Sequence, residues 1–135
     1  MRNFEELFND SFHRILGQPG AALTFIDHFY EAFMKMPGVA AKFEGTDLQA
    51  MKEKVIPSIL YLLEFASTRQ EDHILFDVAM AHSRHRANIE PSLYDAFTET
   101  IIQSVKHFDK EYDDSVALAW IITLAPGLEY MKFHY

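Results

Sequence analysis

Residues 73–97 read HILFDVAMAHSRHRANIEPSLYDAF. Leu75, Val78 with Ala79, and His82 recur at i, i+3/4 and i+7, the spacing of one helical face. The pattern predicts a helix from about Asp72 to His85, with His82 continuing its apolar stripe. Pro91 sits at a favoured first-turn position and starts the next helix, which reaches about Phe108. An imidazole on a buried stripe needs a partner. A main-chain carbonyl is one, which makes His82 an ordinary core histidine. A metal is the other, because neutral imidazole is a common axial ligand of haem iron. His85 lies three residues on, and HxxH spacing on one helix also admits a weak zinc or nickel site.

The same period extends in both directions. A first helix spans about Asn3 to Leu16, and Gly17, Pro19 and Gly20 break it. A second spans Ala21 to Lys35, with Phe25, Phe29 and Phe33 in a row of spacing four. A short irregular piece holds Val39 and Phe43. Thr46 or Asp47 can cap a third long helix by accepting an orphan backbone N–H, and Met51, Val55, Ile59 and Leu62 share its inner face. Pro57 is expected to kink or restart it. The last helix covers about Asp113 to Phe133, disturbed at Pro126-Gly127. No strand-like alternation, repeat or linker intervenes. The expectation is one all-α domain, residues 1–135, of six to seven helices. Their uneven lengths suit a globular helix sandwich better than a four-helix bundle.

Composition narrows the function. The chain has 135 residues, 49% apolar and 24% charged, with 12 phenylalanines. A core so rich in flat rings packs on itself or around something flat. Acids outnumber Lys and Arg 20 to 12, for a net charge of −8, which repels nucleic acid. The absence of cysteine excludes disulfides, thiolate metal sites and thioether-linked haem. No apolar run approaches the roughly 18 residues of a membrane span. The acidic, amphipathic MRNFEELFND does not read as a signal peptide. The expectation is a cytoplasmic protein with neither membrane nor nucleic acid as partner. Glu-x-x-His pairs, HExxH, a P-loop, GxGxxG and GxSxG are all missing. Tyr30 follows Phe29 beside the aromatic row, where its hydroxyl would donate inside an apolar cavity. Phe43, Met51, Val55 and Phe97 are unremarkable core singly, but together they could wall a dry slot for a flat ring.

Five stretches, in order, resemble bacterial single-domain globins and the globin domain of flavohaemoglobins. DHFYEAF resembles the helix presenting a distal tyrosine, which falls on Tyr30. In PGVAAKF, Phe43 falls where globins keep a phenylalanine that stacks on the porphyrin. TDLQAMKEKV resembles the start of the distal helix, with Met51 and Val55 facing haem. AHSRHRANIEPSLYDAF resembles the proximal helix and its successor, with His82 as the iron ligand and His85 as the alternative. DKEYDDSVALAW and APGLEYMKFHY resemble the last helix. The similarity runs from about Ala21 to Tyr135.

The resemblance implies haem b in a globin fold that reversibly binds a diatomic gas, oxygen or nitric oxide. It implies that Val78, Ile89 and Phe97 line the pocket, that Tyr94 helps orient the proximal histidine, and that Arg84, His85 and Arg86 meet the propionates. Ser83 or a backbone carbonyl would take the second nitrogen of His82. It allows a homodimer through the last helix, and nitric oxide turnover with a separate reductase. Two departures stand out. Met51 replaces a common distal glutamine, and the glutamate partner of Tyr94 has no match. A haem-free sensor or interaction module and a six-coordinate redox haem protein remain as rival expectations.

Overall fold

The computed structural model describes residues 3–135; the first two residues of the MRNFEELFND segment lie outside it. Among the described residues there are seven helices and no strand: α1 Phe4–Leu16, α2 Ala21–Phe33, α3 Val39–Lys42, α4 Leu48–Thr68, α5 His73–Ala81, α6 Pro91–Phe108 and α7 Asp114–Phe133. Short polar side chains start four of them. Asn3 accepts from the Glu6 N–H, Asp47 from Gln49 and Ala50, Asp72 from Leu75, and Asp113 from Val116. Each cap satisfies donors that the first helical turn leaves open.

Three expectations change. The helix around Pro57 does not restart there, and the one around Pro126 runs on without interruption. Each proline deletes a bond to the carbonyl four residues back. Those carbonyls belong to Glu53 and Ile122, both exposed, so water can take them. The His82 helix is shorter than expected and stops at Ala81, with His82 as its C-cap. Residues 83–90 turn instead of coiling. Ser83 O accepts from the Arg86 and Asn88 N–H groups, and Asn88 takes a left-handed φ of 54°, which asparagine tolerates.

The core falls into a packed half and a hollow half. In the packed half α1, α6 and α7 meet around Trp120, whose indole N–H donates to Ser11 Oγ at 2.9 Å. Ser11 Oγ donates on to Asp109 at 2.6 Å, and Arg14 closes on the same carboxylate with two bonds of 2.7 and 2.8 Å. Phe8 sets its ring edge-on to Trp120 at 4.7 Å. Where α4 crosses α7, a Cβ at Gly127 would lie 2.5 Å from Leu62 Cδ2. Glycine therefore fixes how closely α7 approaches α4.

The sequence reading finds no span-length apolar run, yet α7 is long and apolar enough by length and composition to cross a membrane. Core helices share that property, and here Val116, Ala119, Trp120, Leu124, Leu128 and Met131 are buried within the fold.

Burial raises the pKa of Asp109, but the bonds from Arg14, Ser11 and the Glu111 N–H outweigh it and hold the carboxyl below its ordinary value. A depressed carboxylate adds stability above its unfolded pKa, which is lost as pH falls through the folded value. Asp109→Asn should therefore cost about 2–3 kcal/mol at neutral pH. The gap to wild type should narrow below about pH 4, where the unfolded carboxyl protonates. Urea unfolding across pH measures both; a gap that stays constant into acid would contradict the charged role of Asp109.

Candidate functional site

The hollow half is a cavity of about 560 Å³ walled by every helix except α1. That volume falls within the roughly 300–1,000 Å³ of small-molecule pockets. One wall comes from α2 and the α3 corner: Phe29, Tyr30, Phe33, Val39 and Phe43. Phe43 meets Tyr30 edge-on at 5.8 Å and Phe33 at 6.3 Å. Phe97 of α6 sets itself edge-on to Phe29 and Phe33, at 5.3 and 6.0 Å. Such T-shaped pairs are favoured by the ring quadrupole and hold the wall rigid.

Met51, Val55, Ile59 and Leu62 of α4 form the opposite wall, and Leu128 and Met131 of α7 contribute from the far side. α5 and the following loop bring Leu75, Val78, His82 and Ile89, and α6 adds Leu93 and Tyr94. Among the described residues, His82 is the one histidine in the lining. Elsewhere, His28 stacks on His107 at 4.3 Å.

The His82 ring is fixed by its own helix. Its Nδ1 lies 2.7 Å from Val78 O. A carbonyl only accepts, so Nδ1 carries a proton, and in the neutral ring Nε2 keeps the lone pair. Ser83 does not take part, because its hydroxyl donates to Met80 O at 2.7 Å. Nor does Tyr94 hold the ring: no hydrogen bond joins the two. Tyr30 and Tyr94 line the cavity and are 6% and 7% exposed. Neither hydroxyl hydrogen-bonds another described residue. Burial pushes both phenols up to about 12, so both are neutral donors at physiological pH.

The cavity thus gathers Tyr30, Phe43, Met51, Val55, Val78, His82, Ile89, Tyr94 and Phe97. It does not gather His85 and Arg86, which the turn of residues 83–90 leaves exposed and outside the lining. Arg84 is engaged elsewhere, with its guanidinium 4.7 Å over the Tyr135 ring. The cations that do reach the lining are Lys42 and Lys54. Lys42 is paired with Glu90 at 2.8 Å, whereas Lys54 forms no ion pair among the described residues. The sequence held a signal for Lys54. It shares a helical face with Met51, Val55 and Ser58, which also line the cavity. Among the described residues, no group of three His, Asp or Glu side chains could hold a bare metal ion, which leaves the HxxH pair without further ligands.

The fold is found in a known structure. The chain aligns with the crystal structure of a Pseudomonas aeruginosa protein described as structurally highly homologous to human haemoglobin, with a TM-score of 0.86 and 28% identity over 98% of each chain. No protein-family profile matches the sequence, and no curated protein matches it significantly. Fold and comparison together show a globin-like all-α fold, similar to that of this bacterial protein, and support the resemblance to bacterial single-domain globins.

A phenol held neutral by burial has a spectral consequence. Titrating wild type should reveal tyrosines ionising at about 12, two of them in the cavity, and Tyr30→Phe should remove one phenol from that step. Stability should fall as pH rises from about 10, where unfolded tyrosines ionise first. Ultraviolet phenolate absorbance reads the first, and denaturant unfolding the second. Ionisation of all six tyrosines near 10 would mean that water reaches the cavity freely.

Proposed function

We propose that this chain binds haem b in the cavity and, through it, reversibly binds a diatomic gas such as oxygen or nitric oxide. The observation that carries the reading is the pairing of two polar groups in one apolar slot. One is the His82 ring, protonated at Nδ1 by its bond to Val78 O. The other is the hydroxyl of the buried Tyr30, which has no hydrogen-bond partner among the described residues. The donor set suits haem, whose flat apolar face needs a dry slot and whose iron takes a neutral imidazole.

When bound, haem supplies an iron atom that accepts one protein ligand and leaves a position for a small gas. The protein's part is binding and orientation. His82 Nε2 would hold the iron, and the Val78 carbonyl keeps that nitrogen unprotonated and its ring in one orientation. Phe43, Met51 and Val55 would cover the faces of the ring and exclude water. Burying them contributes about 25 cal/mol per Å² of apolar area. Lys54, which forms no ion pair among the described residues, would meet a propionate, in place of the Arg84, His85 and Arg86 expected from sequence. Tyr30 would donate a hydrogen bond to the guest, and in a water-poor cavity that bond is stronger than in solution. Met51 has a thioether where a glutamine could have donated, so Tyr30 carries this task alone on its side. The reading places the protein in the cytoplasm, with a separate reductase as its electron source if nitric oxide is turned over.

Adding haemin to the purified protein should produce an intense haem band and raise the unfolding temperature, because a ligand that binds only the folded state stabilises it. His82→Ala should weaken haem retention by at least about tenfold, the loss expected when a directional ligand is removed, whereas His85→Ala should leave it unchanged. Tyr30→Phe should speed oxygen dissociation about tenfold, the worth of one well-buried hydrogen bond. Absence of the band after haemin addition would favour a haem-free interaction module. A six-coordinate ferrous spectrum before gas is added would favour a redox role.

A further inference from the structure

We infer that Tyr135 and Asn88 form a clasp on the loop behind His82, which makes both of them positioning residues for its ring. The inference rests on the haem reading only for its consequence at the metal. The clasp itself is built from contacts within the chain.

The loop of residues 83–90 leaves α5 at His82 and returns to α6 at Pro91. It is tied back to its own start: the Ile89 N–H donates to His82 O at 3.0 Å, and the Ala87 N–H to Ala81 O at 3.1 Å. Ile89 and His82 both line the cavity. Any movement of residue 88 therefore passes in one peptide to Ile89, and through a single hydrogen bond to the His82 carbonyl.

Residue 88 is held from outside the loop on two sides. The Tyr135 hydroxyl donates to Asn88 Oδ1 at 2.6 Å. On the other side Lys42 Nζ donates to Asn88 O at 2.6 Å while pairing with Glu90 at 2.8 Å. Tyr135 is itself anchored by the loop. The Arg84 N–H donates to its backbone oxygen at 3.0 Å, and the Arg84 guanidinium covers its ring at 4.7 Å. The result is a closed ring of contacts, Arg84 to Tyr135 to Asn88, across a loop whose residues 84–88 are exposed. Such a segment opens locally before the fold does. The left-handed φ of Asn88, 54°, means that glycine can replace it with the backbone retained and the acceptor lost.

The test uses Tyr135→Phe, Asn88→Gly and the double variant, each with and without haem. In the haem-free proteins, amide exchange at Ile89 should quicken about fivefold in either single variant, and at Asn88 in Tyr135→Phe. The double variant should quicken no further, since both changes remove the same bond. In the haem-loaded ferrous proteins, the iron–imidazole stretching band should shift or broaden in both single variants. A merely structural loss of stability would not move that band. Unchanged exchange at Asn88 and Ile89, or additive effects in the double variant, would overturn the clasp. Quickened exchange with an unshifted band would overturn the positioning role. If the wild type takes up no haem, the haem reading fails and the positioning role with it, while the exchange arm still decides the clasp. Lys42→Met reports on the other side of Asn88. It should also quicken Ile89 exchange, while the Tyr135 effect persists in its background.

Discussion

The bond from the His82 Nδ1–H to the Val78 carbonyl, 2.7 Å long, is the constraint on which the site depends. It spans one helical turn, and the Val78 carbonyl accepts from the His82 backbone N–H as well, at 3.2 Å, using both of its lone pairs on one residue. Its effect is chemical. It assigns the proton to one nitrogen and leaves the other basic and fixed in direction. A histidine whose ring could rotate would offer either nitrogen to the cavity or neither.

The division of the core into packed and hollow halves follows from where the polar anchors lie. Trp120, Ser11, Arg14 and Asp109 form a hydrogen-bonded chain that ties α1 to the α6–α7 connection. Satisfied polar networks of this kind resist rearrangement, because losing one member leaves the others unpaired and buried. With that half rigid, the aromatic wall of Phe29, Phe33, Phe43 and Phe97 is held without having to fill the space beside it. The rings brace each other edge to face, so the cavity does not collapse into a liquid-like cluster. Gly127 adds a geometric term by letting α7 approach Leu62.

Much of the fold was legible along the chain. The apolar period located all the long helices, Asp47 and Pro91 marked their starts, and the row of Phe25, Phe29 and Phe33 identified a buried face. These are local signals, decided within one or two turns. The failures share one cause. A restart was allowed for at Pro57 and a disturbance at Pro126, but both helices run on, because the cost of a lost hydrogen bond depends on whether water can reach the orphaned carbonyl, and that is set by which face of the helix points outward. The same holds for His85 and Arg86. On a continued helix they would share the neighbourhood of His82; on the turn that forms, they face solvent.

By itself the sequence determined the all-α class, the order of the helices, and that His82, Tyr30 and the aromatic row belong to inward faces, because periodicity and capping act between neighbours in the chain. Only the tertiary structure decided which atoms face one another: the Tyr30 hydroxyl, with no hydrogen-bond partner among the described residues, Lys54 rather than Arg86 at the lining, and Tyr135 against Asn88. Those depend on contacts between residues far apart in the chain, where a rotation of one helix or an early stop exchanges one side chain for another, and no local pattern records the outcome.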